Sequence, residues 1–153
     1  MVARAHYKVF QSWFVGALAL GGCAYQPDSF VHARQPFDGV QLTIDCLDLS
    51  VGRGTYPSAT SNVVAYWFGN RCDTPVVVDL ASARVVGMAT DGSAIDLQAF
   101  DPMREIRVLR LDARAVGHES IDYPSALALS SVCVDAATIA HVQPTRWVCV
   151  DNR

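Results

Sequence analysis

Val40-Gln41-Leu42-Thr43-Ile44-Asp45-Cys46 alternates apolar and polar residues at every step, and Leu47-Asp48-Leu49-Ser50-Val51 alternates again with the phase moved by one. Successive side chains of a strand point to opposite faces, so a period of two marks half-buried β-structure. A slip of one residue exchanges the faces, and a β-bulge near Cys46-Leu47 is the economical explanation. The stretch predicts extended chain on both sides of Cys46.

The same reading carries along the chain. Gly52, Gly54, Pro57 and Ser58 mark a loop that also holds Tyr56. Asn62 to Phe68 is rich in β-branched and aromatic residues and predicts a strand, closed by Gly69-Asn70 as a turn. Tyr66 and Trp67 are neighbours in it, so both face inward only if that strand is buried on both sides. Pro75, tolerated at a strand's first residue, precedes a run from Val76 to Leu80. Arg84 to Ala89 is followed by Asp91-Gly92, a hairpin signal. Ile95, Leu97 and Ala99 alternate with Asp96 and Gln98, and Asp101-Pro102 ends that strand. Ile106 and Val108 alternate with Arg107 before a second slip, read as a second bulge, which sets Leu109, Leu111 and Ala113 against Arg110, Asp112 and Arg114. Gly117 to Tyr123, Ser131 to Val134 and Arg146 to Val150 complete the strands, and Ala136 to Ala140 is one helical turn at most. Trp67 and Trp147 are expected to fill the core. Frequent turns between short strands predict an all-β antiparallel sandwich of about 7–9 strands, with a barrel as the alternative. Val64 to Leu80, a strand, a short Asn-containing turn and a Pro-Val run, resembles immunoglobulin-like envelope domains. That resemblance implies an architecture and no activity.

The first residues follow different rules. Arg4 and Lys8 precede an apolar run from Phe14 to Leu20. The run is too short for a bilayer, which takes roughly 20 apolar residues, and has the length of a signal-peptide core. It ends in Leu20-Gly21-Gly22-Cys23, an aliphatic residue, two small residues and a cysteine. This resembles the lipobox of bacterial lipoproteins. The resemblance implies a signal peptide over 1–22, cleavage before Cys23, a diacylglycerol on its sulfur and a fatty acid such as palmitate on the new amine. Each buried methylene contributes about 0.8 kcal/mol, so several chains on one residue make a lasting anchor. Ala24 after the cysteine resembles the pattern of lipoproteins sorted to the outer membrane, facing the periplasm. Residues 23–37, with Pro27, Pro36 and no period, read as a lipidated cysteine and flexible tether, and 38–153 as the β-sandwich domain.

Composition narrows the function. Of 153 residues, 51% are hydrophobic and 18% charged, which provides for a core and excludes wholesale disorder. Loss of residues 1–22 removes Arg4 and Lys8 and leaves 10 basic against 15 acidic residues, a net charge of −5. That sign excludes nucleic acid as a partner. With Cys23 assigned to lipid, Cys46, Cys72, Cys133 and Cys149 remain, an even number that reads as two disulfides of open connectivity.

Signals for chemistry are weak. Cys46, Cys133 and Cys149 each stand in Cys-x-Asp, with Asp48, Asp135 and Asp151 on the same strand face. A thiolate–carboxylate metal site is conceivable there, but chance in an aspartate-rich chain is the simpler account, and no Cys-x-x-Cys spacing for zinc occurs. His118-Glu119 lacks the second histidine of a zincin helix. No G-x-S-x-G elbow is present. Cys133 and His141 suit a cupredoxin-like copper site by order alone, with Met88 and Met103 on the wrong side of Cys133. Arg110 and Arg114 are expected on one strand face as a possible partner surface. No catalytic residue, metal or cofactor is assigned. The expectation is an envelope lipoprotein held to the membrane by its lipid, a non-enzymatic binding or structural module for an unidentified envelope protein. The alternative is a metal-binding or redox lipoprotein.

Overall fold

The structure is a computed structural model and describes residues 25–26, 30–32, 35–55, 61–99 and 108–152. Ten strands lie in these residues: β1 (Val40–Ile44), β2 (Leu47–Arg53), β3 (Val63–Asn70), β4 (Val76–Asp79), β5 (Arg84–Ala89), β6 (Ala94–Asp96), β7 (Val108–Leu111), β8 (Val116–Asp122), β9 (Leu129–Asp135) and β10 (Trp147–Asp151). A 3₁₀ turn (Leu80–Ser82) and one helical turn, α1 (Ala136–Ile139), are the helical pieces. One sheet runs β1-β2-β3-β8, a second β10-β9-β5-β6, and β4 pairs with β7 alone. Every pairing among these strands is antiparallel. This is the antiparallel β-sandwich the alternation predicts.

The core lies between the two larger sheets. Leu47, Leu49 and Val51 of β2, Val64, Tyr66 and Phe68 of β3, and Ile121 of β8 meet Val85, Leu129, Val132, Val134, Val148 and Val150 from the opposite sheet. Fully burying such side chains contributes about 1.5–3 kcal/mol each. Val78 and Leu111 of the β4–β7 pair and Ile139 of α1 join the same cluster. The Tyr66 and Tyr123 hydroxyls, both buried, satisfy one another at 2.9 Å.

Four expectations need correction. The phase slip at Cys46 is a tight hairpin instead of a bulge: Ile44 pairs with Leu47, and Asp45-Cys46 is the turn. Asp45 adopts φ of 50° there, a conformation aspartate tolerates. A two-residue turn and a one-residue bulge shift the apolar parity identically, so the pattern could not separate them. The hairpin also raises the strand count to ten. Gly69-Asn70 lies inside β3, where Gly69 pairs with Val116 and Asp48. Trp147 is 43% exposed, because Val148 and Val150 take the inward positions of β10. The Arg84 guanidinium stands over its ring at 5.5 Å from the centroid. Finally, β7 stops at Leu111, and a turn closed by the Ala115 N–H on the Asp112 carbonyl follows. Of the second slip, Ile106 and Arg107 lie outside the described residues, as does Tyr56.

Candidate functional site: a strapped sheet face

All eight residues of β3 are buried, so the strand is covered on both faces. One cover is the core. The other is the N-terminal stretch. Where described, residues 25–37 do not form the tether expected of them. Tyr25 (2% exposed) and Phe37 (6%) pack with Ala65 and Trp67 of β3, and Phe30 and Val116 border the cluster. The rings of Tyr25 and Phe37 lie 5.4 Å apart, those of Phe30 and Phe37 5.9 Å. A Pro-containing stretch without period is not thereby free, since three aromatic rings repay its ordering by burial.

The sheet is shaped for this strap. Its outward positions run Thr43–Asp48–Gly69–Val116 in one row and Gln41–Ser50–Trp67–His118 in the next. Gly69 leaves the space that the Tyr25 ring fills: a Cβ there would lie 2.3 Å from two ring carbons. Gly52 does the same for Trp67, whose ring would stand 2.9 Å from an added Cβ. The Gln41 amide donates to the Phe37 carbonyl at 3.0 Å, the Ser50 hydroxyl to the Asp38 carbonyl at 2.6 Å, and the Gln35 amide to the Gly117 carbonyl.

Beneath the strap lies a carboxylate with no exposed surface. Asp48 accepts from the Tyr25 hydroxyl at 2.7 Å and the Thr43 hydroxyl at 2.6 Å, and the Arg71 Nε stands 3.3 Å away. A buried charge is tolerated only when paired and hydrogen-bonded, as here. Burial, and then the bond and charge of Asp48, push the Tyr25 phenol well above the ordinary tyrosine range. Tyr25 therefore remains a donor throughout the neutral range.

The same end of the sandwich is tied together by polar bonds. Asn70, fully buried, places its amide nitrogen 2.8, 3.2 and 2.9 Å from the carbonyls of Thr74, Leu111 and Asp112. Its side-chain oxygen accepts from the Cys72 N–H at 2.8 Å. The Arg71 N–H reaches the Cys46 carbonyl at 2.7 Å, and its guanidinium reaches the Asp45 carbonyl. The Tyr25 N–H donates to the Arg114 carbonyl at 2.8 Å. The strap thus begins on this pole.

The cysteines pair as Cys46–Cys72 and Cys133–Cys149, one of the connectivities left open by the sequence. The first, with Cα atoms 5.4 Å apart, joins the β1–β2 turn to the β3–β4 loop. The second joins residues directly opposite on β9 and β10, 3.9 Å apart at Cα. Cys133 therefore offers no thiolate to copper, and His141 stands instead 3.2 Å from an Asp79 oxygen. Two of the three Cys-x-Asp aspartates have structural duties that spacing alone did not reveal. Asp48 anchors the strap. Asp135, 4% exposed, caps α1 through the Ala137 N–H at 3.2 Å and holds the Arg146 N–H at 3.0 Å. Asp151 is exposed.

Arg110 and Arg114 do not share a strand face. Arg110 is exposed on β7 opposite Val77. Arg114 sits in the β7–β8 turn at φ 59°, with Nη2 and Nε 2.9 and 3.1 Å from Asp73 Oδ1. His118 lies on strand β8, 5.4 Å from the Trp67 ring centroid. Cys23 lies outside the described residues. Among the described residues no group of three His, Cys, Asp or Glu side chains converges as a metal site, and no helix is long and apolar enough to cross a membrane. A cleft of about 350 Å³ opens beside Arg84, Asp96, Gln98 and Tyr123. Its Arg84 and Asp96 are 3.9 Å apart, 63% and 72% exposed, a solvated pair.

No family model and no curated protein matches the chain. The yjhA protein from Bacillus subtilis matches in structure with TM-score 0.49 at 7% identity, covering 75% of this chain and 97% of that one. An uncharacterised β-sandwich protein from Clostridium difficile 630 matches with TM-score 0.40 at 11% identity, covering 75% of this chain and 91% of that one.

Proposed function

We propose that the chain is a lipid-anchored envelope protein whose sandwich is a non-enzymatic binding or structural module. One observation carries the reading. The four cysteines of the domain are taken up in two disulfides, which leaves Cys23 as the remaining cysteine, at the lipobox position. Structural disulfides accumulate in oxidising compartments such as the periplasm. A thiol held outside both bridges, after a basic start and a short apolar run, is the one available for lipid. The alternative use of the cysteines, as metal or redox ligands, loses its thiolates to the same two bridges.

The test is membrane fractionation of the full chain against Cys23→Ser. Lipid attachment gives a membrane-bound wild type and a variant that is released or left unprocessed. Unchanged cleavage and membrane retention in Cys23→Ser rejects the anchor.

A further inference from the structure

We infer that one pole of the sandwich, formed by the β1–β2 turn, the β3–β4 loop and the β7–β8 turn, is a docking face for a phospholipid bilayer surface. The inference rests on the anchoring reading and adds to it an orientation.

The decisive quantity is the length of free chain between lipid and domain. Residues 24–37 as a flexible tether would span roughly 20 Å on average and leave the domain free to tumble. The chain is fixed much earlier. Tyr25 is buried, its hydroxyl is bonded to Asp48, and its N–H is bonded to the Arg114 carbonyl of the β7–β8 turn. Cys23 and Tyr25 are two residues apart, a reach of at most about 7 Å. A lipid on Cys23 sits with its glycerol at the headgroup level, so the pole is held against the headgroups.

The pole is built to stay in one shape there. Asn70 fixes the β3–β4 loop to the end of β7, and Cys46–Cys72 fixes it to the β1–β2 turn. Its chemistry suits a surface held by lipid and not by charge. Arg71 is committed to Asp48 and Arg114 to Asp73, and Asp45 and Asp112 lie beside them. Two arginines against four aspartates leave the pole net negative, so charge does not draw it to anionic headgroups and added salt does not weaken the contact. Val31, 62% exposed, lies beside Gln26, next to Tyr25, and adds an apolar side chain near the anchor. The β5–β6 hairpin around Gly92 and the segment 125–127 lie at the opposite ends of the strands and face away from the bilayer.

The experiment uses the full chain, processed in a lipidating bacterium and reconstituted into vesicles of phosphatidylethanolamine and phosphatidylglycerol. A fraction of the phosphatidylethanolamine carries a photoactivated cross-linker on its headgroup. Intact mass reads the lipid on Cys23, and peptide mapping reads the adducts. The expected result is a lipidated protein with adducts enriched several-fold at 71–75 and 112–115 over 90–93 and 125–127, at low and high salt alike. A flexible Gly/Ser insertion between Ala24 and Tyr25 should keep the lipid and abolish the enrichment. A lipidated protein labelled equally at both poles overturns the docking face and leaves the anchor standing. A protein without lipid overturns both.

Discussion

Tyr25 and Asp48 are 23 residues apart in sequence, yet each makes sense only beside the other. Asp48 occupies an outward position of an alternating strand, where a polar residue meets water by default. It is buried because Tyr25 and its neighbours cover it. Tyr25→Phe removes one donor and leaves a buried carboxylate oxygen short of a partner, a loss of about 1–3 kcal/mol. The denaturation midpoint should fall accordingly; an unchanged midpoint would mean that the Tyr25–Asp48 bond contributes nothing to the fold. The phenol also sets a limit at high pH. Its folded pKa is raised, so the stability it contributes is complete below the ordinary tyrosine value near 10 and is lost as pH rises beyond it. Tyrosinate absorbance, read against Tyr25→Phe, should show Tyr25 ionising above the ordinary tyrosine range, together with alkaline unfolding, and an early, reversible ionisation would contradict the burial. None of this was legible locally. Alternation assigned Asp48 to the outer face correctly, but no spacing names a partner that arrives from a stretch without period.

Among the elements, β3 posed the sharpest question about the rest of the chain. Tyr66 and Trp67, side by side, can both be buried only if the strand is covered on both faces, and the structure supplies a core on one side and the strap on the other. The sequence pattern stated the condition, and neither that it is met nor what meets it. The β1–β2 hairpin shows a different limit, since its two-residue turn and a bulge leave the same parity. Trp147 is not a core residue for a simpler reason: Val148 and Val150 set the phase of β10 and turn it outward. The disulfides belong to this scale as well. They close loops of 26 and 16 residues, and removing either should cost about 3 kcal/mol by the loss of chain constraint. Cys46→Ala with Cys72→Ala should also speed amide exchange in 71–75. Cys133→Ala with Cys149→Ala should leave that region protected, because that bridge joins β9 to β10 and does not touch it. Equal deprotection in both double variants would reject the division between the two bridges.

At the scale of the molecule, composition and alternation carried the fold class, and the even cysteine count carried the disulfides. The candidate site was not legible, because it is made by register: β2 and β3 must align before Asp48, Gly69 and Trp67 form one surface. A net charge of −5 without residues 1–22 gives no electrostatic reason to approach a membrane, so the proposed attachment rests on the covalent lipid alone. The most direct measurement is the intact mass of the protein extracted from its own membranes, with a peptide map made without reduction. The account predicts a chain that starts at a lipidated Cys23, four hydrogens lighter than its reduced form, with the bridges Cys46–Cys72 and Cys133–Cys149. A chain with an unmodified Cys23, or with free thiols in the sandwich, would contradict it.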